Sequence, residues 1–168
     1  MNKNQILISH SSDDQEICAG LTTLIERCSL TQIKVWHSSD QRSDGGLNPG
    51  DRWLSKLSDA LSTSQVVVVL CTANSINSDW VKFEAGFGAA SSELEIIPLL
   101  VGIEDVTLVP APFANWQMYK IDTEQRCLGF LKKILPLFGV HYDEKIAKLC
   151  FEDFRALVDR ARVMPESW

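Results

Sequence analysis

A carboxylate and an indole ring four residues apart form the pair of side chains best placed to do chemistry. Trp80 and Glu84 lie in the run 78–87, which we read as the start of a helix. Positions i, i+4 and i+7 of a helix share one face, so Trp80, Glu84 and Phe87 form one stripe. We expect this stripe to face the interior, where an unpaired carboxylate is costly. Because chains seldom keep such a carboxylate without a use, Glu84 is the first candidate for a catalytic group.

The cysteines and histidines give no sign of a metal site or a disulfide framework. The chain has five cysteines and three histidines, with no Cys-x-x-Cys pair and no ligand spacing between the histidines. We therefore predict reduced thiols in the core. We also predict no bound metal and no cofactor.

Composition narrows the class of protein and its partners. The 168 residues fit one domain that can fold alone. The net charge of −6 argues against binding to nucleic acid or to an anionic membrane. The apolar runs 66–71 and 96–101 are too short to span a bilayer. The N-terminal residues lack a signal-peptide pattern, so we expect a cytoplasmic protein.

Strands and helices alternate along most of the chain. The predicted strands are 6–8, 33–36, 66–70, 96–101 and 117–121. The predicted helices are 17–25, 53–61, 79 to about 91, 123–138 and 143–162. This pattern predicts an α/β fold, a flavodoxin-like parallel sheet of order 2-1-3-4-5 with helices on both faces. Pro98 should place the fourth strand near an edge of the sheet.

The predicted strand order also locates a ligand site. In an open parallel sheet, ligands bind beyond the carboxyl ends of the strands, at the switch in strand order. Here the switch lies between the first and third strands. The loops 9–13, 37–50 and 72–79 should meet there, and the last leads directly into the Trp80–Glu84 helix.

The loop after the second strand has the composition of a binding loop. It spans fourteen residues, 37–50, whereas such loops usually run about 2–6. Its three glycines and its proline allow sharp turns. Arg42 and Arg52 lie within and just after it and can meet a phosphate. Solvated arginines on an ordinary flexible loop are the alternative.

Three segments resemble a TIR (Toll/interleukin-1 receptor) domain of the bacterial, NAD-cleaving kind. Residues 6–13 resemble the family's first box, and residues 46–53 resemble its BB loop leading into the second helix. Residues 66–84 resemble its third strand and its Trp-x-x-x-Glu helix. The sequence departs from the family at 37–40, which is longer than the short acidic turn common after the second strand.

The resemblance implies a TIR domain over 1–140. The final predicted helix lies beyond it, in a C-terminal extension over 141–168 that we expect to pack on the same domain. The resemblance also implies self-association and one of two functions. Family members either act as signalling adaptors or cleave NAD at the nicotinamide–ribose bond. In catalytic members the helix glutamate, which corresponds to Glu84, is the catalytic residue. The predicted substrate-binding residues are Ser9, His10, Asp40, Arg42, Trp53 and Trp80.

One carboxylate is enough for this reaction, because nicotinamide leaves NAD as a neutral molecule and needs no general acid. Ionised Glu84 can stabilise the positive charge that develops on the ribose. We therefore expect an NAD glycohydrolase or cyclase that uses NAD as substrate. The resemblance suggests antiphage defence, either by NAD depletion or through a cyclic ADP-ribose type of signal sensed by a separate effector.

Two alternatives remain open. A non-catalytic TIR scaffold predicts TIR–TIR oligomers without NAD turnover. A deoxyribosyltransferase-like enzyme, which also uses a glutamate, predicts base exchange on free nucleosides. Individual residues have structural alternatives too: a helix carboxylate bonded to a loop amide for Glu84, core packing for Trp80, and a capped turn for Ser9 and His10.

Overall fold

The protein is built around one parallel sheet. The computed structural model describes residues 3–37, 58–90, 93–111 and 113–162. The strands are β1 (Gln5–Ser9), β2 (Lys34–His37), β3 (Ser64–Cys71), β4 (Glu95–Leu100) and β5 (Tyr119–Lys120). Their order is β2-β1-β3-β4-β5, and each neighbouring pair is parallel. The predicted flavodoxin-like fold and strand order are confirmed.

Helices cover both faces of the sheet. They are α1 (Gln15–Cys28), α2 (58–63), α3 (Asp79–Ala89), α4 (Glu124–Leu137) and α5 (Glu144–Arg162). The ends of α4 and α5 fall within about a residue of their predicted positions. The predicted beginning of α2 at Trp53 lies outside the described residues. No helix in the described part of the chain is long and apolar enough to cross a bilayer.

The sheet separates two apolar cores, and β3 contributes residues to both. Val66, Val68 and Leu70 face the core formed with α1, α4 and α5. Val67 and Val69 face the core formed with α2 and α3. Both sides of β3 are therefore buried, which explains its unbroken β-branched run. All five cysteines are buried and none is in a disulfide, so the predicted core thiols are confirmed.

Pro98 lies one strand in from the sheet edge. In the β3–β4 register it is opposite Val69. The edge strand β5 pairs only with Leu99 and Leu100, so it does not reach Pro98. Proline has no backbone N–H to donate, so it is tolerated best where one neighbouring strand does not pair with it. Because β5 does not extend to Pro98, this proline is tolerated near the edge of the sheet.

The last helix, α5, packs on α1 at a glycine. A Cβ atom added to Gly20 would lie 2.2 Å from Leu157 Cδ1 and 3.1 Å from Phe154 Cδ2. The two helices therefore approach closely because this position of α1 has no side chain. The exposed pair Arg160–Glu16 joins the same two helices. The position at which α5 packs is therefore determined by a residue of α1, near the amino end of the chain.

Candidate functional site

Two of the three predicted loops meet at the carboxyl end of the sheet. The loop after β1 contributes Asp14, whose side chain is buried, 1% of the residue being exposed. Its Oδ2 accepts hydrogen bonds from Ser11 Oγ at 2.9 Å and from Thr72 Oγ1 at 2.6 Å. Its Oδ1 accepts a third from Asn74 Nδ2 at 3.0 Å. Thr72 and Asn74 follow β3, so Asp14 ties together the loops on either side of the switch in strand order.

The loop after β2 begins at the same place. The imidazole rings of His10 and His37 contact each other edge to face, with centroids 5.9 Å apart and planes at 84°. His37 is the last residue of β2, so the second loop leaves the sheet beside the first. The predicted meeting of the first and third loops is confirmed, and His37 is the one residue of the predicted second loop that the structure describes. The predicted substrate-binding residues Asp40, Arg42 and Trp53 lie outside the described residues.

The loop between β3 and α3 is held in shape by its own serines and threonine. Ser75 Oγ donates to the carbonyl oxygen of Leu70 at 2.7 Å and accepts from the Thr72 N–H at 2.7 Å. Ser78 then caps α3, since its hydroxyl accepts from the Val81 N–H at 3.3 Å and its carbonyl from the Lys82 N–H at 3.1 Å. The first turn of α3 is therefore fixed relative to the end of β3.

Two residues of α3 are described on the face of the helix that meets the sheet. Val81 and Ala85 are fully buried in the core between α3 and the sheet. Trp80 and Glu84 belong to the same helix but come one position earlier, which is about 100° round its axis. The expectation that the stripe of Trp80 and Glu84 faces the interior stays a prediction.

Ser9 and His10 lie where the sequence predicts, at the carboxyl end of β1. Both are buried, with 0% and 1% of the residue exposed. Ser9 Oγ has no hydrogen-bond partner in the described part of the chain. A buried hydroxyl without a partner costs about 1–3 kcal/mol, so native proteins seldom keep one without a reason. Among the described residues, no capping hydrogen bond of the Ser9 hydroxyl is seen.

The sequence analysis did not predict the role of Asp14, which joins the loops after β1 and β3. Asp13 and Asp14 are adjacent, and composition gives no reason to prefer one of them. Only the structure separates them, because Asp13 is exposed and Asp14 is buried. A helical phase run back from Cys18 and Leu21, both buried, would have placed Asp14 on the inner face of α1. Within the described residues, no group of His, Cys, Asp and Glu side chains could hold a metal ion.

Comparison with known proteins decides the family. A TIR domain family model matches residues 6–133. The chain belongs to the TIR domain family. The crystal structure of the TIR domain of the Toll-related receptor TRR-2 from Hydra magnipapillata matches with 18% identity and a TM-score of 0.49, covering 89% of this chain and 97% of that one. No curated protein matches this TIR domain. Most of α4 lies within the family match, and α5 lies beyond it.

Proposed function

We propose that this TIR domain cleaves NAD at the nicotinamide–ribose bond, with Glu84 as the catalytic carboxylate. The observation that carries the proposal is the position of α3. This helix bears Trp80 and Glu84, and it begins directly after the loop that Asp14 ties to the end of β1. That edge, at the switch in strand order, is where ligands of open parallel sheets bind. Family membership supports the proposal, because TIR domains include enzymes of this kind.

The proposed reaction needs one negative charge and a site that excludes competing water. The bond between ribose C1′ and the nicotinamide nitrogen breaks, and its electron pair neutralises the pyridinium as nicotinamide leaves. The ribose becomes cationic in the transition state, and the ionised carboxylate of Glu84 stabilises that charge. Water then bonds to C1′ and releases a proton, which gives ADP-ribose. Attack by the adenine ring of the same molecule would give a cyclic isomer instead.

Ser9 is the described residue best suited to bind the rest of NAD. Its hydroxyl lies buried at the carboxyl end of β1 and has no hydrogen-bond partner among the residues that the structure describes. A diphosphate or ribose oxygen of the substrate can accept a hydrogen bond from this hydroxyl, and the benefit is larger in a buried site than in water. In this proposal NAD is the substrate and no other cofactor takes part. Its consumption, or a product sensed by a separate effector, would serve antiphage signalling.

A TIR scaffold that acts only through assembly is the second candidate. TIR domains generally self-associate, and this one exposes two leucines beside one groove. Leu30 and Leu149 are each 66% exposed and border a cavity of about 480 Å³ between the end of α1 and the beginning of α5. Exposed apolar patches of this kind mark interaction surfaces in many proteins. Such a scaffold would form oligomers and would leave NAD intact.

The test is NAD consumption by the purified protein, over a wide range of protein concentrations, with the products separated by chromatography. Loss of NAD with release of nicotinamide supports the proposal, and the second product identifies hydrolysis or cyclisation. Specific activity that rises with protein concentration would show that assembly completes the site. Intact NAD at every concentration, with and without a crowding agent, would overturn the enzyme and favour the scaffold.

A further inference from the structure

We propose that Asp14 is a positioning residue, which holds the start of α3 and therefore sets where Glu84 meets its substrate. The inference rests on the proposed NAD cleavage for its kinetic consequence. Its geometric part is a separate claim: the carboxylate of Asp14 fixes the loop 72–78, and that loop fixes the first turn of α3. Asp14 itself touches neither the substrate nor the reacting atoms in this account.

The side chain of Asp14 does not cap the helix at whose beginning it lies. Asp14 occupies the N-cap position of α1, where an aspartate normally accepts a hydrogen bond from the first turn of its own helix. Here the side chain makes no capping hydrogen bond to α1. It turns to the neighbouring loop, where Thr72 and Asn74 donate to its two oxygens. Aspartate favours the capping position of its own helix, but the side chain of Asp14 instead holds the loop after β3.

The hydrogen bond between Thr72 and Asp14 is short and buried. Asp14 and Thr72 are 1% and 4% exposed, so water does not compete for their hydrogen bond. The distance from Thr72 Oγ1 to Asp14 Oδ2 is 2.6 Å, which is typical of a hydroxyl donating to a charged carboxylate. Such bonds are stronger than those between neutral groups. The two loops are therefore joined by a buried hydrogen bond.

A series of hydrogen bonds connects Asp14 to the beginning of α3. Thr72 Oγ1 donates to Asp14 and also accepts the backbone N–H groups of Asn74 at 3.1 Å and Ser75 at 3.3 Å. The N–H of Ser78 then donates to the carbonyl of Ser75 at 2.9 Å, and Ser78 caps the helix. Each step is a hydrogen bond between neighbours in one short loop. Loss of the Thr72 hydroxyl should therefore loosen the loop as far as the cap.

The experiment compares two pairs of variants. Thr72→Val keeps the shape of the side chain but removes its hydroxyl, whereas Thr72→Ser keeps the hydroxyl that Asp14 accepts. Asp14→Ala removes the buried carboxylate, and Asp13→Ala removes the exposed carboxylate beside it. If Asp14→Ala fails to fold, the two Thr72 variants still decide the question. All measurements are made well below the thermal midpoint of each variant, so that every sample is folded.

Amide hydrogen exchange tests the geometric part without reference to activity. Thr72→Val should speed exchange of the amides in 74–82 by about tenfold. Thr72→Ser and Asp13→Ala should stay near the wild type. A Thr72→Val protein that is less stable overall, but has wild-type exchange in 74–82 relative to the rest of the chain, would overturn the positioning role.

Steady-state kinetics test the consequence for NAD. A small displacement of a catalytic group can cost about a hundredfold in rate, so kcat should fall tenfold to a hundredfold in Thr72→Val. The KM should change less, because Glu84 acts mainly on the transition state. Equal kcat in Thr72→Val and Thr72→Ser would overturn the inference. Faster exchange in a protein whose wild type never consumes NAD would support the geometric role of Asp14 and refute the proposed reaction.

Discussion

Replacing Gly20 by alanine tests whether α5 packs closely on α1 at this position. The new Cβ atom would lie 2.2 Å from Leu157 Cδ1 and 3.1–3.2 Å from two atoms of the Phe154 ring. Nonbonded carbons prefer about 3.5–4.0 Å. Leu157 can rotate away at the cost of some packing, whereas the buried ring of Phe154 has less freedom. The helices must therefore separate slightly or repack.

Two opposing contributions set the size of the effect. Alanine in a helix interior is favoured over glycine by about 1 kcal/mol. Overpacking of a tight contact costs about 1–3 kcal/mol. The balance for Gly20→Ala is a loss of about 1 kcal/mol in the free energy of unfolding. Gly129→Ala is the matched control, because nothing lies within 4 Å of the added Cβ atom. It should gain about 1 kcal/mol from helix propensity alone.

Thermal and urea unfolding of the two variants measure this difference directly. For a protein of this size, 1 kcal/mol corresponds to a shift of about 2–4 °C in Tm. Gly129→Ala should therefore melt above the wild type, and Gly20→Ala below it. A shared background of Leu157→Ala should reduce the loss at Gly20, since it removes the closest obstacle. If Gly20→Ala raises Tm as much as Gly129→Ala does, α5 does not pack where the structure places it.

Two further predictions concern Ser9, at the carboxyl end of β1, and the buried thiols of Cys71 and Cys127. Ser9→Ala should keep or slightly raise the Tm, because it removes a buried hydroxyl without a partner, and should raise the KM for NAD about threefold to tenfold. An unchanged KM would exclude Ser9 from the substrate site. Burial raises the pKa of the Cys71 and Cys127 thiols from 9.0 to about 12, so the folded state retains protons that the unfolded chain releases. Urea unfolding should therefore show stability that is complete below pH 9 and falls by up to about 1.4 kcal/mol per pH unit per thiol above it. Cys71→Ala should make that decline shallower, and an unchanged slope would contradict the assignment.

The sheet could be predicted because its signals are local. The run 66–70 is apolar and β-branched, and it is the centre of β3. The ends of β3 were less visible, because Ser64 is polar yet fully buried. Its hydroxyl donates to the carbonyl of Ala60 at 2.6 Å and accepts from Gln5 at 3.0 Å. A strand boundary set by such long-range partners leaves no periodic pattern in the sequence.

The strand β5 is shorter than predicted, whereas β3 is longer than predicted. The sequence predicts a strand over 117–121, but β5 is only Tyr119–Lys120. It pairs with two residues of β4, and one of its sides has no neighbour in the sheet. Propensity describes how well residues fit a pleated surface, whereas strand length depends on how much of a partner is available. An edge strand is therefore the element whose extent the sequence predicts least well.

The site was predictable in its location and only partly in its residues. Strand order locates the switch point, and Ser9 and His10 follow from it. On α3 the structure gives Val81 and Ala85 as fully buried, and the predicted orientation of Trp80 and Glu84 stays a prediction. The role of Asp14 depends on a contact across 58 positions of the chain to Thr72, which no spacing rule describes.

The initial rate of nicotinamide release by Glu84→Gln, set against the wild type, tests the central claim most directly. Glu93→Gln is the matched control, since Glu93 is exposed beyond the end of α3 and pairs with Lys3 at the surface. The amide keeps the shape of the side chain but cannot stabilise a cationic ribose as a carboxylate does. We expect Glu93→Gln to retain wild-type activity and Glu84→Gln to lose about 10²–10³ in rate. Nicotinamide release by Glu84→Gln at the wild-type rate would contradict the account.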